Sequence, residues 1–173
     1  MSSSEEAVLW VHPDDAAGTS PLAELLARDH RVVFLAASPM DMHAPAAVSS
    51  QLGRFVLIGQ SSGAEAALRL ARASGEACAA LILIAPVLAS LPAAEAAPDV
   101  PMLLLLGTED ARVPPRSAVA LCAAFPRAHP ILIYGAGHAL DRDRVEAVAA
   151  VVRDFIARRD DFIVRAASDL RYP

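Results

Sequence analysis

The feature that most constrains the fold of this chain is a regular alternation of short apolar runs with longer amphipathic or alanine-rich segments. Each apolar run is continuous rather than alternating, which is typical of strands in a parallel sheet covered by helices on both faces. Such a pattern favours βαβ units. It predicts an α/β fold, a three-layer αβα sandwich with a mostly parallel six-stranded sheet. The strands are predicted at residues 7–12, 31–36, 54–59, 78–85, 101–107 and 130–134, and the helices at 20–28, 62–74, 115–125 and 141–159.

Particular residues mark the ends and faces of these helices. Ser20-Pro21 predicts an N-cap followed by a first-turn proline, and Gly75 predicts the end of the second helix. The last helix is predicted to pack one apolar face on the core, formed by Val145, Val148, Val152, Phe155 and Ile156.

Length and composition favour one folded domain. The 173 residues predict a single domain over 1–173, with a flexible N-terminus at 1–6 and a C-terminal tail at 160–173. Hydrophobic residues make up 55% and charged residues 20%, which excludes a disordered chain.

The first six residues are polar and acidic, and the apolar stretches are short, so we expect a cytoplasmic protein that neither enters nor crosses a membrane. Cys78 and Cys122 are predicted to be buried thiols in a reducing compartment.

Two residue types are missing from the sequence, lysine and asparagine, and all 15 basic residues are arginine. Without lysine the chain has no P-loop lysine, no Schiff base and no Ser–Lys dyad. The net charge of -5 argues against a nucleic-acid partner, which would require a basic patch.

The strongest local motif is Gly59-Gln60-Ser61-Ser62-Gly63, a G-x-S-x-G sequence between a predicted strand and a predicted helix. Its glycines allow strand and helix to approach closely around a sharp turn that exposes the central hydroxyl. The first N–H groups of the following helix then point to where an oxyanion would develop. Ser61 is therefore the candidate nucleophile and the Ser62 backbone N–H a candidate oxyanion donor. Gln60 is not expected to affect the mechanism.

Two further loops carry residues that could act with this serine. Asp110 lies in an acidic loop after the strand at 101–107, and His138 lies in the glycine-rich loop after the strand at 130–134. Parallel strands present their carboxyl ends at one edge of the sheet, where ligands bind in open α/β folds. Glu109 is an alternative to Asp110 as the acid.

Serine, aspartate and histidine in this order, each after its own strand, resemble the α/β-hydrolase superfamily. The stretches Gly107–Pro114 (G-x-x-D-x-x-V-P) and Gly135–His138 (G-x-G-H) are also similar to that family's loops. The resemblance implies a compact, minimal α/β-hydrolase fold with an all-parallel strand order of 2-1-3-4-5-6 and a short lid. It implies that Ser61 is the nucleophile, Asp110 the orienting acid and His138 the general acid–base.

The same resemblance places a second oxyanion donor in the loop after the first strand. There the backbone N–H of Asp14 is the candidate, because the proline at position 13 has no N–H. The short loops around this edge also provide the candidates for a shallow substrate pocket: His12, Met40, Met42, Val87 and Val113.

The tetrapeptide at 12–15, His-Pro-Asp-Asp, carries a rival hypothesis, because it is similar to the start of the metal site in zinc-dependent sugar N-deacetylases. A zinc site needs at least three protein ligands. The five histidines include no closely spaced pair that would supply the others, so we expect no metal and no cofactor.

Together these residues predict a serine hydrolase that cleaves a carboxylic ester or thioester of a small-molecule acyl substrate through an acyl-enzyme. Two alternatives remain: an acyltransferase or accessory thioesterase, and a non-catalytic binding protein on a hydrolase fold. The strand at 31–36 would lie at an exposed edge of the sheet, and such an edge favours pairing with a second copy in a homodimer.

Overall fold

The computed structural model describes residues 6–12, 20–36, 50–91 and 97–162. Its strands are β1 (Ala7–His12), β2 (Val32–Ala36), β3 (Phe55–Gln60), β4 (Cys78–Ile84), β5 (Met102–Gly107) and β6 (Ala128–Ile133). Its helices are α1 (Pro21–Leu26), α2 (Gly63–Ser74), α3 (Ser117–Ala124), α4 (Leu140–Asp143) and α5 (Val145–Arg158). Single 3-10 turns follow α2 at Gly75–Ala77 and α5 at Arg159–Asp161. Residues 50–52 are also helical.

The six strands form one sheet in the order β2-β1-β3-β4-β5-β6, and every neighbouring pair is parallel. This confirms the predicted sheet and strand order. Since all strands run the same way, the segments that follow β3, β5 and β6 emerge at one edge. The three candidate catalytic residues lie in those segments.

Two apolar cores, one on each face of the sheet, explain why the strands are continuously apolar. In β3, Val56 and Ile58 pack on the face that carries α1 and α5, whereas Phe55 and Leu57 pack on the face that carries α2 and α3. Every residue of β3, β4 and β5 is buried. The chain is therefore the three-layer sandwich that the sequence predicts.

Two local predictions were wrong, and a third is confirmed only in position. The helix predicted at 141–159 is interrupted at Arg144, where φ is -138° and ψ 46°, so that α4 and α5 are separate. Ser20 is the N-cap residue of α1 and is followed by Pro21, as predicted, but its hydroxyl donates to Asp141 and makes no side-chain cap bond. Cys122 is only partly buried, although Cys78 is buried and both thiols are free. Burial raises the pKa of Cys78 to about 12, which leaves it unreactive.

The remaining expectations concern the two ends of the chain, the edge of the sheet and the possibility of a membrane span. The predicted face of α5 packs on the core, and Phe162 continues it by meeting the Phe155 ring edge-on at 5.3 Å between centroids. Residues 1–5 and 163–173 lie outside the described part. The second strand is an edge strand, with Phe34 38% exposed, and its pairing in a dimer stays a prediction. None of the described helices is long and apolar enough to cross a bilayer.

Candidate active site

The serine turn (residues 59–63) connects β3 to α2 through a backbone conformation that few side chains adopt. Ser61 has a φ of +50°, in the left-handed region. Its N–H donates to the carbonyl of Ile84 at 2.9 Å, and its own carbonyl accepts from Val87 N at 3.0 Å. A Cβ on Gly59 would lie 2.6 Å from the Ala67 Cβ, so only glycine lets α2 pack this closely on β3. The turn therefore fixes the Ser61 side chain beside the end of β4.

The acid loop (residues 107–113) follows β5 and buries a carboxylate. The Asp110 side chain is fully buried, and its Oδ1 accepts hydrogen bonds from Arg112 N at 2.8 Å and Val113 N at 2.9 Å. Burial alone would raise the pKa of Asp110, but these two N–H groups and His138 together lower it below its ordinary value. Asp110 is therefore held as a carboxylate.

The histidine segment (residues 135–143) consists of the glycine-rich loop after β6 and the short helix α4. It is bound to the acid loop through its backbone. Gly135 N donates to Thr108 Oγ1 at 2.9 Å, and Glu109 N donates to the Ala136 carbonyl at 2.9 Å. A Cβ on Gly107 would lie 2.3 Å from that carbonyl oxygen, so the two segments touch where glycine leaves room.

The three segments bring Ser61, His138 and Asp110 into one chain of hydrogen bonds. The Ser61 Oγ lies 3.0 Å from His138 Nε2, and His138 Nδ1 lies 2.8 Å from Asp110 Oδ2. Because ionised Asp110 can only accept, Nδ1 carries the proton and Nε2 offers its lone pair to the serine hydroxyl. Glu109, the alternative acid, is exposed and is not bonded to His138. Residues 77 and 28 positions apart in the sequence thus form one relay.

The predicted oxyanion donors lie partly outside the description. Ser62 follows the nucleophile candidate at the start of α2, with φ -67° and ψ -20°. Among the described residues, no acceptor pairs with its backbone N–H, which leaves that N–H free to bind an anion beside Ser61. Asp14 is not among the described residues.

Two of the five predicted pocket residues line a cavity beside the serine turn. Val87 and Val113 face it, and Val87 is the residue whose N–H binds the Ser61 carbonyl. The cavity has a volume of about 330 Å³. Its other lining residues are Pro86, Leu88, Leu91, Arg112, Ser117, Ala120 and Leu121. Met40 and Met42 lie outside the described residues, and the description of His12 is limited to its backbone at the end of β1.

Sequence reasoning did not anticipate a buried polar cluster behind the serine turn. Gln60, immediately before Ser61, donates through Nε2 to Asp141 Oδ1 at 2.7 Å, and Ser20 Oγ donates to Asp141 Oδ2 at 2.8 Å. The sequence offered one signal, a glutamine at the end of an otherwise apolar buried strand. Its partner is 81 residues away and could not be identified from the pattern.

A protein-family model for TAP-like proteins, within the α/β-hydrolases, matches residues 66–159, which is more than half of the chain. This chain belongs to the α/β-hydrolase superfamily. The match includes Asp110 and His138 and begins after Ser61. No curated protein matches the chain by sequence.

Solved structures of other α/β-hydrolases share the fold of this α/β-hydrolase. A thermophilic esterase from Thermogutta terrifontis has 18% identity and a TM-score of 0.66 over 88% of this chain and 89% of its own. An α/β-hydrolase enzyme from the metagenome of Mar Chica lagoon sediments has 16% identity and a TM-score of 0.70, over 90% and 93%. A serine hydrolase involved in carbazole degradation has 16% identity and a TM-score of 0.65, over 88% and 91%. Identities this low establish the fold alone.

The described residues offer no metal site of ordinary composition. Within residues 6–12, 20–36, 50–91 and 97–162, no group of three or more His, Cys, Asp or Glu side chains is placed to hold a metal ion. Of the tetrapeptide in the zinc hypothesis, residues 13–15 lie outside this part.

Proposed function

We propose that this α/β-hydrolase cleaves a carboxylic ester or thioester of a small molecule through an acyl-enzyme on Ser61. The observation that carries the proposal is the continuous hydrogen-bonded chain from Ser61 Oγ through His138 to the buried Asp110 carboxylate. A hydroxyl bonded to the free lone pair of an imidazole, itself oriented by a carboxylate, is the arrangement that activates serine for attack on a carbonyl.

In the acylation step, Ser61 Oγ attacks the carbonyl carbon and His138 Nε2 takes the hydroxyl proton. The positive charge on the imidazolium is stabilised by Asp110, whose lowered pKa keeps it ionised at neutral pH. Collapse of the tetrahedral intermediate breaks the bond to the alcohol or thiol. The leaving group departs with the proton that His138 returns, and the acyl group remains on Ser61.

Deacylation repeats these steps with water in place of the serine hydroxyl. His138 takes a proton from water as its oxygen attacks the acyl carbonyl, then returns it to Ser61 Oγ as the ester bond breaks. The free N–H of Ser62 supports stabilisation of the oxyanion in both steps, and the Asp14 N–H is the second donor in the proposal. Each such donor contributes about 3 kcal/mol to lowering the barrier.

The cavity lined by Val87 and Val113 is the proposed site for the acyl group. At about 330 Å³ it lies at the small end of ligand pockets. Its walls are mostly apolar and include Arg112. A short acyl chain fits this space, which favours small esters and thioesters over long-chain lipids.

Two alternatives use the same site. An acyltransferase or accessory thioesterase would pass the acyl group from Ser61 to an alcohol or thiol in place of water, and adding competing alcohols would reveal that product. A binding protein without catalysis would leave Ser61 unreactive. The paired Ser61 and His138 argue for the enzyme, since a binding role requires no relay.

Substitution of Ser61 tests the proposal. Ser61→Ala should lower kcat with p-nitrophenyl acetate by about 10⁴-fold or more, because it removes the nucleophile. A fluorophosphonate should label the wild type at Ser61 and leave the variant unlabelled, as seen by peptide mass spectrometry. Ser74→Ala, the same change at the far end of α2, is the matched control and should retain activity and labelling. Equal turnover by Ser61→Ala and the wild type would overturn the assignment.

A further inference from the structure

The buried polar cluster of Ser20, Gln60 and Asp141 joins three segments that are far apart in the sequence. Asp141 is 3% exposed, Gln60 9% and Ser20 1%. The Asp141 carboxylate accepts one bond from the Gln60 amide and one from the Ser20 hydroxyl, at 2.7 and 2.8 Å. The Arg142 guanidinium is 3.9 Å away and mostly exposed. Burying a carboxylate with two neutral donors is costly in free energy, so this arrangement calls for a reason beyond packing.

The positions of Gln60 and Asp141 in the chain supply that reason. Gln60 directly precedes Ser61, and Asp141 lies three residues after His138. The Gln60–Asp141 hydrogen bond therefore joins the same two segments as the Ser61–His138 hydrogen bond. Among the described residues, these two bonds are the hydrogen bonds between the serine turn and the histidine segment.

We propose that the Gln60–Asp141 hydrogen bond positions His138 against the serine turn in the acyl-enzyme. The inference rests on the proposed function. Once Ser61 Oγ carries an acyl group it has no proton to donate, and its hydrogen bond to His138 is lost. The bond between Gln60 and Asp141 contains no reacting atom and persists. It then keeps the imidazole within reach of the water that must be activated, because the remaining bonds of the histidine segment to another segment of the site join it to the acid loop and not to the serine turn.

Neither residue touches the reacting atoms, so both are positioning residues, and their effect should fall on one step. In the free enzyme the Ser61–His138 bond already joins the two segments, so loss of the Gln60 amide should leave acylation within about threefold of the wild type. Deacylation lacks that second bond and should slow by about tenfold, the effect of losing one hydrogen bond to a charged group. A merely structural residue would lower stability without separating the two steps.

The test measures both steps in Gln60→Met, which keeps the length of the side chain and removes its donor. Rapid mixing with p-nitrophenyl acetate gives acylation from the first turnover. Decay of the acetyl-enzyme, followed by intact-protein mass spectrometry after excess ester is removed, gives deacylation. The acetyl-enzyme of Gln60→Met should decay about tenfold more slowly than that of the wild type.

Ser20→Ala is the matched control, because it removes the other neutral donor from the same carboxylate without touching the serine turn. It should lower stability to a similar extent as Gln60→Met and leave the acetyl-enzyme decay unchanged. Equal slowing of decay in the two variants would overturn the inference, since burial of Asp141 and not its bond to Gln60 would then be responsible.

A donor–acceptor exchange covers the case in which Gln60→Met fails to fold. Gln60→Glu alone sets two carboxylates against each other and should slow decay. Combined with Asp141→Asn, it restores the bond with the donor on position 141, and decay should recover to within about threefold of the wild type. A double variant as slow as Gln60→Glu would contradict the proposal. Wild-type protein whose Ser61 is neither acetylated by the ester nor labelled by a fluorophosphonate would overturn the proposed function and the inference with it, whereas normal decay in Gln60→Met overturns the inference alone.

Discussion

The two sides of the histidine segment are held in different ways. Facing the acid loop, the segment is bound by its backbone, with Gly135 N donating to Thr108 Oγ1, the Ala136 carbonyl accepting from Glu109 N, and direct packing against Gly107. The His138–Asp110 hydrogen bond adds one side-chain contact on that side. Facing the serine turn, the described residues join it through side chains, from Ser61 to His138 and from Gln60 to Asp141.

This difference separates what stays fixed in the proposed reaction from what changes. None of the backbone bonds to the acid loop involves a reacting atom, so His138 and Asp110 keep their relation in every step. On the other side, one of the two bonds disappears when Ser61 is acylated. The relay is thus rigid where charge must be stabilised continuously and adjustable where a covalent bond forms and breaks.

The largest effect on activity is expected from a substitution in the hydrogen-bonded chain of Ser61, His138 and Asp110 itself. Asp110→Asn should lower kcat by about 10⁴-fold, because an amide in place of the carboxylate no longer fixes the imidazole tautomer or stabilises the imidazolium. Initial rates with p-nitrophenyl acetate measure this loss. Glu109→Gln is the matched control, since Glu109 is exposed and is not bonded to His138. A larger loss of kcat in Glu109→Gln than in Asp110→Asn would show that Glu109, and not Asp110, is the acid that orients His138.

The packing of the acid loop on the histidine segment should be sensitive to a single added methyl group. Gly107→Ala would place a Cβ 2.3 Å from the Ala136 carbonyl oxygen, and we expect the free energy of unfolding to fall by about 3 kcal/mol.

Gly75→Ala provides the comparison, because that glycine has a φ of +51° but nothing within 4 Å of the added Cβ. It should cost about 1 kcal/mol from backbone strain alone. Urea unfolding of both variants measures the difference. Equal losses in the free energy of unfolding would show that the close approach at Gly107 does not contribute to stability.

The smallest effect is expected from one hydrogen bond on the backbone side. Thr108→Val removes the acceptor of the Gly135 N–H and should cost about 1 kcal/mol. Because this bond persists in the acyl-enzyme, acylation and deacylation should slow equally, by about fivefold, unlike the split expected for Gln60→Met. Thr108→Ser keeps the hydroxyl and should restore both rates. If Thr108→Val slowed deacylation but not acylation, the acid-loop side and the serine-turn side of the histidine segment would no longer differ in their effect on the two steps.

Much of the fold could be predicted because its signals are local. Continuous apolar strands, the glycines around Ser61 and the segments after β5 and β6 each appear within a few residues, and their order predicted both the sheet and the meeting of Ser61, Asp110 and His138. The interruption at Arg144 and the use of the Ser20 hydroxyl could not be predicted. The Ser20 hydroxyl donates to Asp141, which is 121 positions away. At the interruption, the Arg144 side chain donates through Nε to the Tyr134 carbonyl at 3.0 Å.

The sequence by itself determined the layered fold and which residue types reach the carboxyl edge of the sheet, since hydrophobic burial and strand direction follow from short stretches of chain. Only the tertiary structure decided which polar groups pair there. Those pairings join residues such as Gln60 and Asp141, 81 positions apart, and depend on side-chain positions to within a few tenths of an ångström, which no pattern along the chain records.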